Sequence, residues 1–356
     1  MAPLDWGLGH ATRCIPVIRE LQVQNCEVWL AAEGAVERLL RHEFPDLPVL
    51  ALKGYRIKYS ATAKRFIWRI FNQLPKIKAA IKNEHEWLKR QVYEYKLDAV
   101  ISDNRFGLYH PEIPCIFITH QLNIKSPWGT WSEKILRSLN YNYITRFKEC
   151  WVPDVQDEKN LSGELSHPLV KPVVPISYLG LLSRLKKENV EEKKGHLLIL
   201  LSGPEPQRTI LENKLIDELV HYQGSADVVR GLPSSEIILP STNHIRFYNH
   251  LPTDDINKKV AEAEFVISRT GYSTVMDLVQ LKKKSILIPT PGQTEQEYLG
   301  VHLMEKKIAY CVPQSGFSLT NALNKAKEFS FQFPPALSNN LKETIERFVS
   351  SLRAKT

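Results

Sequence analysis

Short, β-rich apolar runs alternate with helix-length stretches along this chain of 356 residues. This alternation limits the fold more than any other feature, because strand, helix and strand in repetition build parallel sheets with helices on both faces. The runs form two sets, so the sequence predicts an α/β protein with two parallel sheets. The predicted strands are 27–31, 49–52, 99–102, 115–119 and 150–153 in the first set, and 197–202, 225–230, 245–248, 265–268, 285–288 and 309–312 in the second.

A proline-rich, charged region separates the two sets. Three prolines between residues 168 and 175 resist a regular helix or a central strand, and a charged stretch follows at 186–194. An amphipathic pattern after two further prolines predicts a C-terminal helix. The predicted organisation is an N-terminal domain over 1–175, a C-terminal domain over 176–335, and a helix within 336–356 that could pack back on the N-terminal domain.

Composition narrows the functional classes. The longest strongly apolar run, 197–201, is far short of the ~20 residues that span a bilayer, and the N-terminus has no secretory pattern. The five cysteines are widely spaced without a CxxC pair, which disfavours a zinc or disulfide site and predicts a cytoplasmic protein. The net charge of +8 permits an anionic partner, but no nucleic-acid-binding module accompanies it.

A Gly-rich turn near the N-terminus is the first candidate site. Gly7 and Gly9 precede His10 at the start of a helix, where the backbone can approach a ligand closely. The helix dipole keeps a histidine at such a start neutral, which suits a general base near pH 7. The alternative is a tight turn that carries a surface histidine.

Two further side chains follow predicted strands of the same set. Asp103 and His120 each come directly after a strand, and ligands in open α/β sheets bind at that edge. If the short strand before the Gly-rich turn neighbours the strands that precede Asp103 and His120, Asp103 could orient His10 and stabilise its protonated form. In the alternative interpretation Asp103 caps the following turn and His120 is a structural hydrogen-bonding group.

The second set contains a candidate phosphate site. The segment 268–274 lies between a strand and an apolar helix, so hydroxyls, a glycine and helix N-terminal amides converge as a pyrophosphate requires. Asp277 lies one turn into that helix and could reach a ribose, and the polar loop 289–297 could bind sugar hydroxyls. The loop 202–208 lacks GxGxxG spacing, so no NAD fingerprint is present. Capping boxes and ordinary loops could explain any one of these segments.

The run 265–281 followed by 289–300 resembles the donor-binding half of two-domain (GT-B) glycosyltransferases of family 28, a group that includes the UDP-N-acetylglucosamine transferases of the peptidoglycan lipid pathway. The resemblance covers most of the chain and is strongest over 246–312. It implies two Rossmann-like domains that face each other across a cleft, with a nucleotide-sugar, usually UDP-linked, on the second. It also implies a hexosyltransferase that inverts the anomeric carbon without metal or cofactor, since the nucleotide-sugar is a substrate.

The resemblance also implies a role for individual residues of the donor site. Two positions depart from the family, because Asp277 stands where a glutamate is usual and Glu297 replaces the second glutamine of a Gln-Gln pair. The second change could alter the sugar that is accepted. The matching positions are Arg208 near the phosphates, Leu251 at the uracil, Thr270, Gly271, Ser273 and Thr274 at the diphosphate, Asp277 at the ribose, and Gln296 with Glu297 at the donor sugar.

In the first domain His10 matches the base of related enzymes and Asp103 matches its aspartate partner, with Gly9 and His120 on the acceptor side. The opening GLGHATRC also resembles the GxGHxxRC start of nucleotide-sugar hydrolases. A hydrolase or epimerase on the same fold is therefore the alternative function. No Asp-x-Asp metal motif is present, since Asp254 and Asp255 are adjacent and predicted to sit in a turn.

Basic and aromatic residues are combined in two stretches of the first domain. One covers 65–71 and 76–81 and includes an apolar stripe; the other contains Trp128, Trp131, Ile135 and Tyr141. A basic amphipathic surface predicts contact with a lipid-linked or saccharide acceptor, or peripheral contact with the inner face of a membrane. The alternative is that the apolar stripe belongs to the core.

Overall fold

The structure is a computed structural model that describes residues 1–56, 73–233, 235–335 and 337–354. The described residues form two compact units, of which the first contains both ends of the chain. The predicted basic aromatic segment at 65–71 lies outside the described residues. The first unit takes residues 1–56, 73–182 and 337–354, and the second takes 183–335.

Apolar runs that are buried on both faces form most of the strands, as expected for parallel sheets covered by helices. The run Cys115–Ile118, for example, is buried at every position. The strands are β1 (Ala2–Pro3), β2 (Leu30–Ala32), β3 (Val49–Ala51), β4 (Val100–Asp103), β5 (Cys115–Ile118), β6 (Glu149–Val152), β7 (Ile176–Tyr178), β8 (Lys193–Leu200), β9 (Ser225–Val229), β10 (Ile245–Tyr248), β11 (Ala263–Ser268), β12 (Ser285–Leu287) and β13 (Tyr310–Cys311).

Amphipathic segments between the strands form the helices, which pack their apolar sides on the sheets. None of the helices in the described ranges is both long and apolar enough to span a bilayer. The helices are α1 (Leu8–Val23), α2 (Gly34–Glu43), α3 (Leu74–Tyr95), α4 (Thr130–Ile144), α5 (Gln207–Leu219), α6 (Thr253–Glu262), α7 (Tyr272–Gln280), α8 (Thr294–Glu305), α9 (Leu319–Glu328) and α10 (Leu341–Arg353).

The first unit contains a parallel sheet in the order β1-β4-β5-β6-β7 and a separate β2-β3 pair. The N–H of Ala31 donates to the carbonyl of Met1 at 2.9 Å, which places β2 beside β1. Successive strands therefore run outward in opposite directions from β1 and β4, and the boundary between these two strands is a topological switch point. The prediction that the strands before the Gly-rich turn, Asp103 and His120 are neighbours is confirmed, since β1, β4 and β5 are adjacent.

The second unit contains a single parallel sheet in the order β10-β9-β8-β11-β12-β13. Its switch point lies between β8 and β11. A core of aliphatic and aromatic side chains from β8, β9, β11 and β12 packs against α5 and α9. The α/β class with two parallel sheets is thus as the sequence predicts.

Three local features differ from the sequence expectations. Strand β7 lies inside the region predicted as a loop, and because it pairs with β6 the first unit continues to Leu182 rather than ending at residue 175. Strand β8 begins at Lys193, within the charged stretch. Asp254 and Asp255 lie in the first turn of α6 rather than in an isolated turn, where their charges favour the positive end of the helix.

Helix α10 returns the chain to the first unit. Its buried residues include Ile345, Phe348 and Val349, whereas Leu352 is only half buried. The ring of Phe348 meets Trp151 of β6 edge-on, with ring centroids 5.4 Å apart. Helix α10 therefore contributes to the core of the first unit, which also contains the first strand of the chain.

Candidate active site

The first candidate site lies at the switch point of the first sheet. Strand β1 pairs with β4 in a register that sets Pro3 opposite Asp103. Gly7 then turns the chain into α1 with φ of 84°, a conformation that favours glycine. The first turns of α1 consequently carry His10 and Arg13 over the end of β4.

Asp103 is the centre of this site and is fully buried. Its Oδ1 lies 3.2 Å from Nδ1 of His10, so the structure brings the predicted base and its predicted partner together. Arg13 binds the same carboxylate more extensively, since Nε donates to Oδ2 at 2.8 Å and Nη2 donates to Oδ1. The sequence analysis did not single out Arg13, although the GxGHxxR spacing places it one helical turn after His10.

Arg13 also contacts both histidines of the site. Its Nη2 lies 3.0 Å from Nδ1 of His10, and its Nη1 lies 3.0 Å from Nδ1 of His120. His120 is buried, which favours the structural role over direct contact with an acceptor. The carbonyl of Gly9 accepts a hydrogen bond from the Thr12 hydroxyl at 3.0 Å and so secures the first turn of α1.

Burial and these charges set the protonation of the site. Burial and the neighbouring Arg13 lower the pKa of His10, and Asp103 opposes them only in part. Burial alone would raise the pKa of Asp103, but Arg13 and His10 hold it well below its usual range. At neutral pH the site therefore contains a neutral imidazole, an ionised carboxylate and a guanidinium.

The second candidate site lies at the switch point of the second sheet, where Arg269 follows β11. Arg269 is 1% exposed, and its Nη2 donates to the carbonyl of Gln207 at 2.7 Å. Its Nη1 lies 3.3 Å from two further carbonyls, those of Ile288 and Pro289. Among the described residues no carboxylate forms an ion pair with this guanidinium, and its Nε has no hydrogen-bond partner. Burial lowers the pKa of Arg269 to about 10, which leaves it charged at neutral pH.

Two threonine hydroxyls lie close in sequence to Arg269 or to its acceptor Pro289. The Oγ1 atoms of Thr270 and Thr290 are both buried and have no hydrogen-bond partner among the described residues. Gly271 caps α7, and a Cβ built at this position would meet no atom within 4 Å. The packing of the protein does not itself require a glycine here, so the start of α7 is open to a ligand. Ser273 and Thr274 lie half-buried in the first turn of that helix.

Other predicted donor residues are engaged within the protein. Nε of Arg208 donates to Glu205 at 2.6 Å, and its Nη1 lies 3.2 Å from Glu212, so this guanidinium already has two carboxylate partners. Arg208 therefore needs to exchange a partner before it can bind phosphate. Leu251 follows β10 as predicted and is largely buried.

The predicted sugar contacts hold the loop that precedes α8. Oε1 of Gln296 accepts a hydrogen bond from the N–H of Thr290 at 2.9 Å, and Oε1 of Glu297 accepts one from Gly292 at 2.8 Å. Both side chains thus shape the loop from within the protein. Asp277 accepts a hydrogen bond from the Ser183 hydroxyl at 2.6 Å, and burial raises its pKa to about 6.

One group of side chains within the described ranges has the spacing of a metal site. It consists of His196, Asp227 and Glu262. Nζ of Lys259 lies 2.8 Å from Oδ2 of Asp227 and already supplies the cation that this carboxylate requires. The group lies in the second unit, on β8, β9 and α6.

Comparisons with known proteins agree with this architecture. The glycosyltransferase family 28 C-terminal domain matches residues 219–351. A relative from Glaesserella parasuis serovar 5 (strain SH0165), named UDP-N-acetylglucosamine--N-acetylmuramyl-(pentapeptide) pyrophosphoryl-undecaprenol N-acetylglucosamine transferase, is 24% identical over 338 residues, which are 90% of this chain and 86% of the relative.

Solved structures resemble the chain over nearly its whole length. The glycotransferase of kitacinnamycin has a TM-score of 0.60 at 12% identity, with 99% of this chain and 94% of that chain covered. MurG of Acinetobacter baumannii has a TM-score of 0.53 at 15% identity, with 99% and 98% covered. The fold is that of GT-B glycosyltransferases, and the chain is a glycosyltransferase. Its residues 219–351 match the C-terminal domain of family 28.

The raised pKa of Asp277 predicts a pH-dependent loss of stability. The folded-state pKa of about 6 lies above the ordinary aspartate value of 3.8, so the protonated carboxyl stabilises the fold fully below pH 3.8, and this stabilisation is lost as the pH rises through about 6. Asp277→Asn should remove the loss, which amounts to at most about 3 kcal/mol in the free energy of unfolding.

Urea unfolding at about pH 4 and about pH 7.5 measures this effect. The exposed Asp217, on α5 of the same unit, supplies the matched control Asp217→Asn. A wild-type protein and an Asp277→Asn variant that differ by the same free energy at both pH values would contradict the prediction.

Proposed function

We propose that this protein transfers a sugar from a UDP-linked donor to an acceptor hydroxyl with inversion at the anomeric carbon, without a metal ion, and with His10 as the base. The observation that carries the donor half is the buried guanidinium of Arg269 beside the open start of α7, since among the described residues it has carbonyl acceptors but no carboxylate partner. A cation removed from water is costly unless an anion or strong acceptors compensate it. The diphosphate of a nucleotide-sugar supplies that anion.

The surroundings of Arg269 favour a diphosphate over a single carboxylate. Backbone amides at the start of α7 attract negative charge, and the Thr270 and Thr290 hydroxyls have hydrogen-bonding capacity to spare. These groups balance the charge that develops on departing UDP, so the reaction needs no metal ion. The family-28 domain and the donor named for the Glaesserella relative support uridine as the nucleoside.

In the proposed reaction Nε2 of His10 accepts the proton of the acceptor hydroxyl. The acceptor oxygen forms a bond to the anomeric carbon as the bond from that carbon to the phosphate oxygen breaks, and UDP leaves with the electron pair. Asp103 supports this chemistry by accepting the Nδ1–H of His10, which leaves Nε2 unprotonated. The lowered pKa of His10 keeps the base neutral at pH 7.

A nucleotide-sugar hydrolase is the second candidate function. It is favoured by one observation: Arg13 and Cys14 of the GxGHxxRC pattern both contact Asp103, Cys14 through its thiol at 3.4 Å. In a hydrolase water takes the place of the acceptor. Rapid release of UDP from a donor supplied without any acceptor distinguishes the hydrolase from the transferase.

An exposed apolar surface supports a membrane-bound, lipid-linked acceptor and a position at the inner face of the membrane. Trp131, Ile135 and Leu139 on α4 are 63%, 53% and 52% exposed and share one side of the helix. These three side chains are therefore not part of the core. Tyr141 is only half buried, but its hydroxyl donates to the carbonyl of Val170 and so attaches an exposed apolar loop beside α4. Aromatic and aliphatic groups beside the basic side chains of α4 suit an anionic bilayer surface.

Substitution of Arg269 tests the donor site. Arg269→Gln should weaken binding of a UDP-sugar by about 10–100-fold, because the hydrogen bonds of a charged group to the diphosphate are lost. A thermal-shift panel of UDP-, GDP- and TDP-sugars identifies the donor, and titration of that donor measures the change.

Arg269→Lys retains the charge and should lose less affinity than Arg269→Gln. Lys283→Gln removes another buried cation, one that is paired with Glu192, and should leave donor affinity unchanged. Equal donor affinity in wild type and Arg269→Gln would exclude the proposed diphosphate contact.

Substitution of His10 tests the base. His10→Ala should lower kcat for transfer by about 10²–10⁴-fold and leave donor affinity nearly unchanged, because only the proton acceptor is removed. Steady-state transfer to saccharide and lipid-linked acceptors measures the effect, and His42→Ala, on exposed α2, is the control. Full activity of His10→Ala would show that another group takes the proton.

Vesicle co-sedimentation tests the membrane surface. Trp131→Ser combined with Ile135→Ser should reduce binding to vesicles that contain anionic phospholipid by about tenfold or more, because apolar contact area is lost. Val220→Ser replaces an equally exposed apolar residue of the second unit and should have no effect. Unchanged vesicle binding of the double variant would rule out this surface.

A further inference from the structure

We propose that Arg13 is a positioning residue for the base: its guanidinium takes Asp103 as its own ion-pair partner and so limits how strongly that carboxylate favours a protonated His10. This inference rests on the proposed role of His10. It assigns a task to a buried residue that the resemblance to known glycosyltransferases leaves without one.

Geometry places Arg13 and Asp103 in competition for the same ring nitrogen. Nδ1 of His10 lies 3.2 Å from Oδ1 of Asp103, which can only accept a hydrogen bond. The same Nδ1 lies 3.0 Å from Nη2 of Arg13, which can only donate one. The base needs Nδ1–H directed at Asp103, whereas a hydrogen bond from Arg13 to Nδ1 moves the ring proton to Nε2. Arg13 thus disfavours the protonated ring, while its bonds to both carboxylate oxygens hold Oδ1 of Asp103 where it can accept the Nδ1–H of the neutral ring.

Burial makes this competition strong. Arg13 is 2% exposed and Asp103 is 0% exposed, so little water screens either charge. Nε and Nη2 of Arg13 both donate to the Asp103 carboxylate, so the Arg13–Asp103 pair exerts little net charge on His10. An Asp–His pair without the arginine would stabilise an imidazolium far more.

The other groups that face His10 do not replace this role. His120, after β5, lies against Nη1 of Arg13, and Cys14, on α1 itself, donates to the outer oxygen of Asp103. The start of α1 adds a partial positive charge. Asp103 is therefore the one group among these that favours a charged His10, and Arg13 is the group that compensates it.

The functional consequence is a wider pH range for the base. A base accepts protons only while it is unprotonated, so kcat/KM falls as the pH drops below the pKa of His10. With Arg13 in place, kcat/KM falls only at a pH below the pKa of an ordinary histidine. Without Arg13 this fall moves to higher pH.

The experiment is an NMR titration of His10 in the full chain with labelled histidine, assigned with the His10→Gln variant and performed without substrate. In wild type His10 should titrate below 6.5, the value for an unperturbed histidine. Arg13→Gln should raise this pKa by about one unit or more, because a like charge is removed from within about 4 Å. The acid limb of kcat/KM should move in the same direction.

Two further variants separate charge from packing. Arg13→Lys retains a positive charge and should shift the pKa of His10 less than Arg13→Gln does. Arg105→Gln removes another buried arginine, one that binds Glu84 at 2.6 Å, and should leave the titration of His10 unchanged.

The proposal is overturned if Arg13→Gln leaves the pKa of His10 unchanged, or if Arg13→Lys shifts it as much as Arg13→Gln. A wild-type His10 that titrates above 6.5 overturns it even when Arg13→Gln does not fold. Failure of the proposed function is a separate result: full transfer by His10→Ala removes the base, while the titration still decides the role of Arg13.

Discussion

Both candidate sites depend on the parallel arrangement of strands, because all strands of a parallel sheet end at the same edge. The pairing of β1 with β4 brings a residue from the first turn of α1 to the end of a strand about 100 residues later. The pairing of β8 with β11 brings Arg269 to the carbonyl of Gln207 in the same way. Each site lies where the strand order reverses, and there the adjacent loops diverge and leave space for a ligand.

The two sites differ in how their charges are balanced. In the first unit Arg13 and Asp103 compensate each other's charge, and the neutral His10 beside them is the proposed base. In the second unit Arg269 has only carbonyl oxygens as partners among the described residues, so no anion balances its charge there. A neutral proton acceptor such as His10 and a cation without a bound anion such as Arg269 suit a transfer between an acceptor and a phosphorylated donor.

Apolar runs and turn residues predicted the sheets well, because a parallel strand that is buried on both faces consists of consecutive apolar residues. The proximity of His10 and Asp103 followed from strand order alone. Strand β7 was missed because it has only three residues and follows a run of prolines. The inward orientation of Arg208 and Gln296 was also not predictable, since it depends on local hydrogen bonds whose geometry no spacing reveals.

The return of α10 to the first unit makes the second unit an insertion between β7 and α10. Ribosomes deliver a chain from its N-terminus, and domains generally fold as units while they emerge. The inserted unit is complete once Pro335 has been made, whereas the first still lacks Phe348 against Trp151. During synthesis the second unit thus matures before the unit that encloses it in sequence, and the last turns of α10 determine when the first unit becomes stable.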